Sequence, residues 1–304
     1  MEIIENYNLR DLSYWNIGGT ARLYIRIHNT QEYSNAISLA MKLGVTPIVV
    51  GKTSNLLFDD GLLNIAIIEL SGEFSDIKVS ENRITVGSAV SSQKLVRFGY
   101  ENSLFGLEHI IGIPATVGGL VYMNGGSNRK TVSEKIVTVE SFDKNDKLII
   151  RKVDECNFSY RKSIFQDNKE LICKTTFEMI CTSNVKDKKR ECINILSSRR
   201  HKFPRKLPSC GSVFISYPEM YEKFGPPGKI IENLGLKGVK IGDAEISAVH
   251  ANFIVNNGNA TSSDVLALVN LINTKVEREF GFTLESEAIF ISKYGEIKPL
   301  HHAM

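Results

Sequence analysis

The sequence predicts an α+β protein in two parts, divided near residue 183. Three observations carry this. Short apolar strands alternate with helix-patterned stretches up to about residue 180. Two glycine-bearing loops, Gly51–Asn55 and Gly106–Gly126, interrupt them. A polar helical stretch from Val185 to Ser198 then leads into a second, smaller set of helices and strands. The expected division is 1–183, with subdomains of about 1–72 and 73–183, followed by 184–304.

Taken in order, Leu23–Ile27 alternates as a strand. Gln31–Leu43 has helical apolar spacing and stops near Gly44. Thr46–Val50 is a short apolar strand running into Gly51, and Ile65–Leu70 is another. Arg83–Val90 reads as a strand and Ser91–Tyr100 as a helix. The glycine-rich stretch Gly106–Gly126 follows as a loop. Lys135–Phe142 and Leu148–Val153 form a hairpin about the turn D-K-N-D, and Glu170–Ile180 alternates again. Beyond the linking helix come a helix at Lys229–Leu234, a strand at Ala251–Asn256, a helix from Ser262 or Ser263 to Phe280, and a strand at Leu284–Ser292. Ser262 or Ser263 is the expected cap of the last helix, and Gly281 its stop.

A chain of 304 residues with 42% hydrophobic content can bury a substantial core unaided. Its net charge of +3 leaves no nucleic-acid footprint, and Lys186–Arg190 (K-D-K-K-R) reads as a solvated helix start. A pI near 8.5 suits a small anionic substrate. The five cysteines are odd in number and lack C-x-x-C spacing, so neither a disulfide framework nor a metal site is expected. The N-terminus carries no apolar signal core, and no run approaches the roughly 18 apolar residues of a membrane span. A soluble, cytoplasmic, monomeric protein with no membrane or nucleic-acid partner is expected.

Five places can carry chemistry. Gly51, Lys52, Thr53, Ser54 and Asn55 follow a strand, as a tight turn or as an anion cradle of backbone N–H groups. The run G-I-P-A-T-V-G-G at Gly112–Gly119 is either a diphosphate-binding loop or a structural one. Arg161 stands beside Tyr160, as a carboxylate clamp or a surface cation. In P-S-C-G-S (Pro208–Ser212), Cys210 or Ser212 is a nucleophile or proton donor, or the segment is a turn. Glu285 and Glu287, two apart, share one face of a strand; they are solvated acids or a carboxyl raised by burial. His301 and His302 read as a disordered tail pair.

The order of these segments is more specific than any one of them. The series S-Y-W-N-I-G-G (Ser13–Gly19), S-N-L-L (Ser54–Leu57), G-L-E-H-I-I-G-I-P-A-T-V-G-G (Gly106–Gly119), Y-M-N (Tyr122–Asn124), Y-R-K-S-I-F (Tyr160–Phe165), P-S-C-G-S-V-F (Pro208–Phe214), H-A-N-F-I-V-N (His250–Asn256) and L-E-S-E (Leu284–Glu287) resembles the UDP-N-acetylenolpyruvoylglucosamine reductase family, in its shorter second class. The resemblance implies a two-part FAD-binding domain of the vanillyl-alcohol-oxidase type and a C-terminal α/β substrate-binding domain. It implies non-covalent FAD, reduction by NADPH, and a small-molecule substrate, UDP-N-acetylglucosamine enolpyruvate. The family's catalytic arginine, serine and glutamate fall on Arg161, Ser212 and Glu287. Its flavin contacts fall on Gly51, Lys52, Thr53, Ser54, Asn55, Gly112, Ile113, Pro114, Thr116, Gly118, Gly119 and Asn124. Lys202 and His250 fall on substrate-binding positions.

The chain departs from the family pattern in four loops. Lys52 and Thr53 stand where G-x-G-S-N or G-G-G-S-N often has glycine; a left-handed Thr53 would cost about 1–3 kcal/mol. Ala115 replaces the glycine of G-I-P-G. Ile215 and Ser216 replace the lysine and asparagine of K-N-P. G-G-S-N-R-K-T-V-S-E follows Asn124 in place of G-A-x-G-x-E.

Overall fold

The computed structural model describes residues 1–143 and 145–303. The chain opens with β1 (Glu2–Asn8), β2 (Thr20–Ile27), α1 (Thr30–Lys42), β3 (Thr46–Val50), β4 (Leu56–Phe58) and β5 (Leu62–Leu70). β1, β2, β5 and β3 form one sheet in that order, with β2 and β3 parallel to β5. Asn29 caps α1, its side chain accepting the Glu32 N–H at 2.9 Å. The polar N-terminus gave no strand pattern. β1 is an edge strand, exposed on almost every residue, so backbone pairing with β2 holds it without an apolar face.

The second subdomain runs through β6 (Ile77–Ser80), β7 (Arg83–Gly87), α2 (Ser92–Glu101), β8 (Leu104–Phe105), α3 (Val117–Tyr122), β9 (Gly126–Ser127), β10 (Lys130–Thr131), β11 (Ile136–Phe142), β12 (Leu148–Lys152), α4 (Phe165–Asn168), β13 (Leu171–Glu178) and β14 (Ile180–Cys181). An antiparallel sheet of order β12-β11-β13-β7-β6 is its frame. The stretch expected to be one loop, Gly106–Gly126, contains α3, because Thr116 caps a helical turn by accepting the Gly119 N–H at 3.2 Å. In the turn of the β11–β12 hairpin, Asp143 accepts from the N–H groups of Asn145 and Lys147 at 2.8 and 2.9 Å; Lys144 of D-K-N-D lies outside the described residues.

The linking helix α5 (Val185–Lys202) is one turn longer than its pattern. Its apolar positions are sparse, and it docks instead through the Lys188 carbonyl, which accepts from Tyr100 Oη at 2.6 Å. Beyond it lie α6 (Pro218–Lys223), α7 (Pro227–Asn233), β15 (Lys240–Ile241), β16 (Ala244–Ile246), β17 (Ile254–Asn256), α8 (Ser262–Phe280), β18 (Ile289–Ile291) and β19 (Ile297–Pro299). Thr261, not Ser262 or Ser263, caps α8: Thr261 and Asp264 exchange side-chain-to-backbone bonds of 3.1 and 2.9 Å. Ser262 is already helical, and its N–H and hydroxyl both donate to Asp60. Gly281 ends α8 at φ 76°, a conformation open to glycine. The strand expected over Leu284–Ser292 shrinks to Ile289–Ile291, and Leu284–Ala288 is irregular.

The described residues form four apolar cores. The core built on α8 and β16–β17 also takes in Trp15, Ile17 and Leu57 from the beginning of the chain. Trp15 donates its indole N–H to the Ile254 carbonyl at 2.9 Å, and Asn256 Nδ2 donates back to the Trp15 carbonyl at 3.1 Å. β4 pairs in parallel with β18, in a small sheet of order β19-β18-β4. The last third of the chain is therefore stitched to the first subdomain on both sides of the Gly51–Asn55 loop.

His109 is 4% exposed, and neither ring nitrogen has a hydrogen-bond partner. Burial holds its imidazole down to about 4, with Glu134, Lys130 and Glu191 as its charged neighbours. An unfolded histidine titrates near ~6.5. Between those values the unfolded chain binds a proton that the folded chain refuses, so stability falls as pH drops, by up to about 1.4 kcal/mol per pH unit. Urea unfolding at a series of pH values from neutral down to the folded value should have a shallower pH slope for His109→Leu than for the parent. Equal slopes would show that His109 is not the acid-sensitive group.

Candidate active site

Arg161 sits in a tight turn in which Ser159 and Lys162 exchange backbone bonds of 3.1 Å. Its φ is 59°, the left-handed region that costs a non-glycine residue about 1–2 kcal/mol. Neighbouring side chains hold the turn there. Asn124 Nδ2 donates to the Ser159 carbonyl at 2.9 Å, and Gln166 Nε2 to the Arg161 carbonyl at 3.0 Å. Ser163, the serine of Y-R-K-S, is 4% exposed and donates to the Tyr122 carbonyl at 2.7 Å. The guanidinium lies over the Tyr160 ring, 5.3 Å from its centroid.

Glu287 arrives from the other end of the chain. Arg161 Nε is 2.7 Å from Glu287 Oε1, and the two side chains are 20% and 17% exposed. The N–H does not point along that contact, so Nε is left without an aligned acceptor. Burial pushes the Glu287 carboxyl up, only partly opposed by Arg161. The backbone around Glu287 is held on every side. The Glu285 carbonyl accepts from Ile215 N, the Glu287 N–H donates to the Val213 carbonyl at 2.8 Å, and Asn55 Nδ2 donates to the Glu287 carbonyl at 2.9 Å. Glu285 and Glu287 do not act as a pair. Glu285 is exposed and accepts from Tyr217 Oη at 2.8 Å, while Glu287 faces Arg161.

Ser212 lies on the segment laid between β17 and this stretch. The Val213 N–H donates to the Asn252 carbonyl at 2.8 Å, and the Asn252 side chain bonds both the N–H and the carbonyl of Phe214, each at 2.9 Å. Since Val213 also accepts from Glu287, Ser212 is one residue from Glu287's backbone partner. It is half-buried, and its hydroxyl makes no hydrogen bond among the described residues. Burial, reinforced by Glu287, pushes the Cys210 thiol far up, so it is not a thiolate nucleophile. Asn252 is the site residue sequence reasoning passed over. The signal was a lone amide between apolar residues in H-A-N-F-I-V-N, which a buried position must satisfy completely.

Around Gly51–Asn55 the backbone is unsatisfied in a particular way. Among the described residues, none of the N–H groups of Lys52, Thr53, Ser54 and Asn55 has a protein acceptor. Four successive free amides next to a strand form a nest of donors open to an anion. Thr53 is indeed left-handed, with φ 52°, and 4% exposed. Its hydroxyl offsets the strain by bridging to the N-terminal segment: it accepts the Tyr14 N–H at 2.9 Å and lies 2.9 Å from the Leu12 carbonyl. A side chain at Gly51 would force Thr116 to shift, because a Cβ would stand 2.5 Å from Thr116 Oγ1. Lys52 is exposed at the rim.

The second loop meets the first at that contact but offers fewer donors. The N–H groups of Val117, Gly118 and Gly119 go to Val90, Ser88 and Thr116 inside the protein. Gly118 and Gly119, expected to face a diphosphate, therefore contribute no amide, because they form the first turn of α3. Gly112 and Thr116 keep free N–H groups among the described residues. The Ile113 carbonyl accepts from Ser92 and Gln93, and Pro114 has no N–H to give. Asn124, also expected at the flavin, is 3% exposed and spends its side chain on Ser159 and Ser133. Lys202 ends α5, exposed and unpaired among the described residues. His250 packs against Phe203 and Phe253, with ring centroids 5.5 and 5.0 Å away, and its Nδ1 accepts the Asn252 N–H at 3.3 Å.

Residues 203–291 match the family model for the UDP-N-acetylenolpyruvoylglucosamine reductase C-terminal domain, and residues 21–150 match that for an FAD binding domain. UDP-N-acetylenolpyruvoylglucosamine reductase 1 of Corynebacterium glutamicum is 36% identical over 97% of this chain and 88% of its own length. The reductase of Fervidobacterium nodosum is 35% identical over 94% of this chain and 91% of its own. The crystal structure of the Thermus caldophilus reductase superposes with a TM-score of 0.79 at 29% identity, covering 95% of this chain and 98% of that one. The chain belongs to the UDP-N-acetylenolpyruvoylglucosamine reductase family of oxidoreductases, with an FAD-binding domain followed by the family's C-terminal domain.

Proposed function

We propose that this protein is a cytoplasmic, NADPH-dependent reductase of the enolpyruvyl ether of UDP-N-acetylglucosamine enolpyruvate, forming UDP-N-acetylmuramate for peptidoglycan. The observation that carries this reading is the 2.7 Å contact of Arg161 and Glu287, with Ser212 on the adjoining segment. The amides of Lys52–Asn55, with Gly112 and Thr116, would hold the diphosphate of a non-covalently bound FAD, which supplies hydride chemistry when bound. Gly51–Asn55 contains no histidine or cysteine for covalent attachment, and His109 is buried away from solvent.

Each protein group answers a change of charge in the substrate. Hydride addition at C3 of the enolpyruvyl ether leaves negative charge on C2, delocalised into the substrate carboxylate. Arg161, with an Nε–H that lacks an aligned protein acceptor, is the fixed cation for that charge. Glu287, raised by burial, takes up a proton more readily than a surface glutamate, and in that protonated form hydrogen-bonds to the same oxygens. Ser212 donates the proton to C2 and recovers one from solvent. A serine hydroxyl is a weak acid, so the step depends on a strongly basic C2 and a hydrogen-bond-length transfer. Lys202 and His250 are assigned to the substrate side of the cleft.

Anaerobic stopped-flow separates the two halves of turnover. The parent should be bleached by NADPH and recover its flavin colour on addition of UDP-N-acetylglucosamine enolpyruvate; failure of the substrate to restore colour would overturn the assignment. In Ser212→Ala, bleaching should stay near the parent rate and recovery should slow by about 10²-fold or more. Equal slowing of both halves would remove Ser212 as proton donor. Arg161→Ala should slow the recovery half by a comparable factor of about 10², and normal turnover would refute its role. Thr53→Val keeps the shape and the left-handed strain but deletes the hydroxyl bridge. It should lose about 2 kcal/mol of stability and bind FAD more weakly; urea unfolding and flavin titration matching the parent would show the bridge to be dispensable.

A further inference from the structure

The C-terminal tail is ordered. Leu300 is fully buried in the core built on α8, and its N–H donates to the Ala288 carbonyl at 3.1 Å. β19 pairs with β18, Ile289 opposite Pro299, so the chain doubles back along the residues that follow Glu287. This delivers His301 to Ser286. The Ser286 N–H donates to His301 Nδ1 at 2.9 Å, Ser286 Oγ lies 3.0 Å from the same nitrogen, and the His301 N–H donates to Ser286 Oγ at 3.4 Å. A backbone N–H needs an unprotonated acceptor, so Nδ1 carries no hydrogen and the imidazole is the Nε2–H tautomer. Ser286 stands between Glu285 and Glu287, whose own backbone groups are held by Ile215, Val213 and Asn55. The Ser286 N–H is the donor in this stretch whose acceptor is a side chain from the tail.

We infer that His301 is a positioning residue for Glu287: its Nδ1 fixes the Ser286 amide and thereby aims the Glu287 carboxyl at Arg161. His301 makes no hydrogen bond to either partner of the ion pair and acts through the backbone of Ser286. The carboxyl must be placed to a fraction of an ångström, because a hydrogen-bonding group displaced by about 1 Å can lose up to 10²-fold in rate. The inference rests on the proposed role of Glu287, and the test keeps the two apart.

The test uses the full-length, FAD-loaded protein and follows bleaching by NADPH and colour recovery with UDP-N-acetylglucosamine enolpyruvate. The variants are His301→Ala, His301→Asn, His301→Gln and Glu287→Gln. Asparagine can set its Oδ1 where Nδ1 lies, whereas glutamine carries its amide one carbon further out. His301→Ala and His301→Gln should slow recovery by about tenfold or more while leaving bleaching near the parent rate, and His301→Asn should restore recovery. Recovery at the parent rate in His301→Ala, with Glu287→Gln slow, would overturn the positioning role alone. Equal rates in the asparagine and glutamine variants, or a matching loss in both halves, would overturn it in favour of general packing. Normal recovery in Glu287→Gln would overturn the role of Glu287 and the inference with it.

Discussion

The rest of the site depends on holding one carboxylate and one guanidinium together where water is scarce. Taking two charges out of water costs more than their attraction returns unless geometry and further hydrogen bonds are supplied. Arg161 and Glu287 are about four-fifths buried and 2.7 Å apart. Their surroundings supply the geometry without closing the pair off. Asn124 and Gln166 fix the Arg161 turn; Asn55, Val213 and Ile215 fix the Glu287 stretch. The pair itself is imperfect, with Nε misaligned, so the guanidinium keeps hydrogen-bonding capacity for an incoming anion.

Three of the twelve non-glycine residues with positive φ among the described residues lie at this site. Arg161, Thr53 and Asn124 all have positive φ, and each is pinned by hydrogen bonds to other segments. Such conformations persist only where the surroundings over-determine them. Thr53 is the clearest case. A β-branched residue occupies a left-handed position usually given to glycine, and its hydroxyl ties the nest to Leu12 and Tyr14. The free amides of the nest are thereby presented on a backbone that has little freedom to collapse onto itself.

The architecture also shows that the last third of the chain is not simply appended to what precedes it. Trp15 and Ile17 pack in the C-terminal core, and β4 joins the sheet of β18 and β19. The loop Gly51–Asn55 thus runs directly into a strand paired with the residues after Glu287. Asn55 makes the link explicit, since its backbone follows the nest and its side chain holds the Glu287 carbonyl. The Gly51–Asn55 loop and the Glu287 stretch are parts of one hydrogen-bonded unit, although Asn55 and Glu287 lie 232 positions apart in sequence.

Local chemistry in the sequence determined the elements with a strong period or cap: α1 before Gly44, β3 before Gly51, the β11–β12 hairpin and α8 up to Gly281. Ordered motifs determined the family and, through that resemblance, singled out Arg161, Ser212 and Glu287 as its expected catalytic residues. What has no local period stayed hidden. β1 is an exposed edge strand, α3 is a six-residue helix in a glycine-rich run, and Leu284–Ala288 follows partners from four segments rather than a strand pattern. The protein partners of Asn124 were hidden for a related reason: an amide's partners are chosen by what packs against it, and here those are Ser159 and Ser133. His301 reads in sequence as a frayed end; only the return of β19 along β18 brings it to Ser286. Sequence sets which groups can donate, accept or carry charge, whereas tertiary structure decides which of them remain free, because that depends on contacts between residues far apart in the chain.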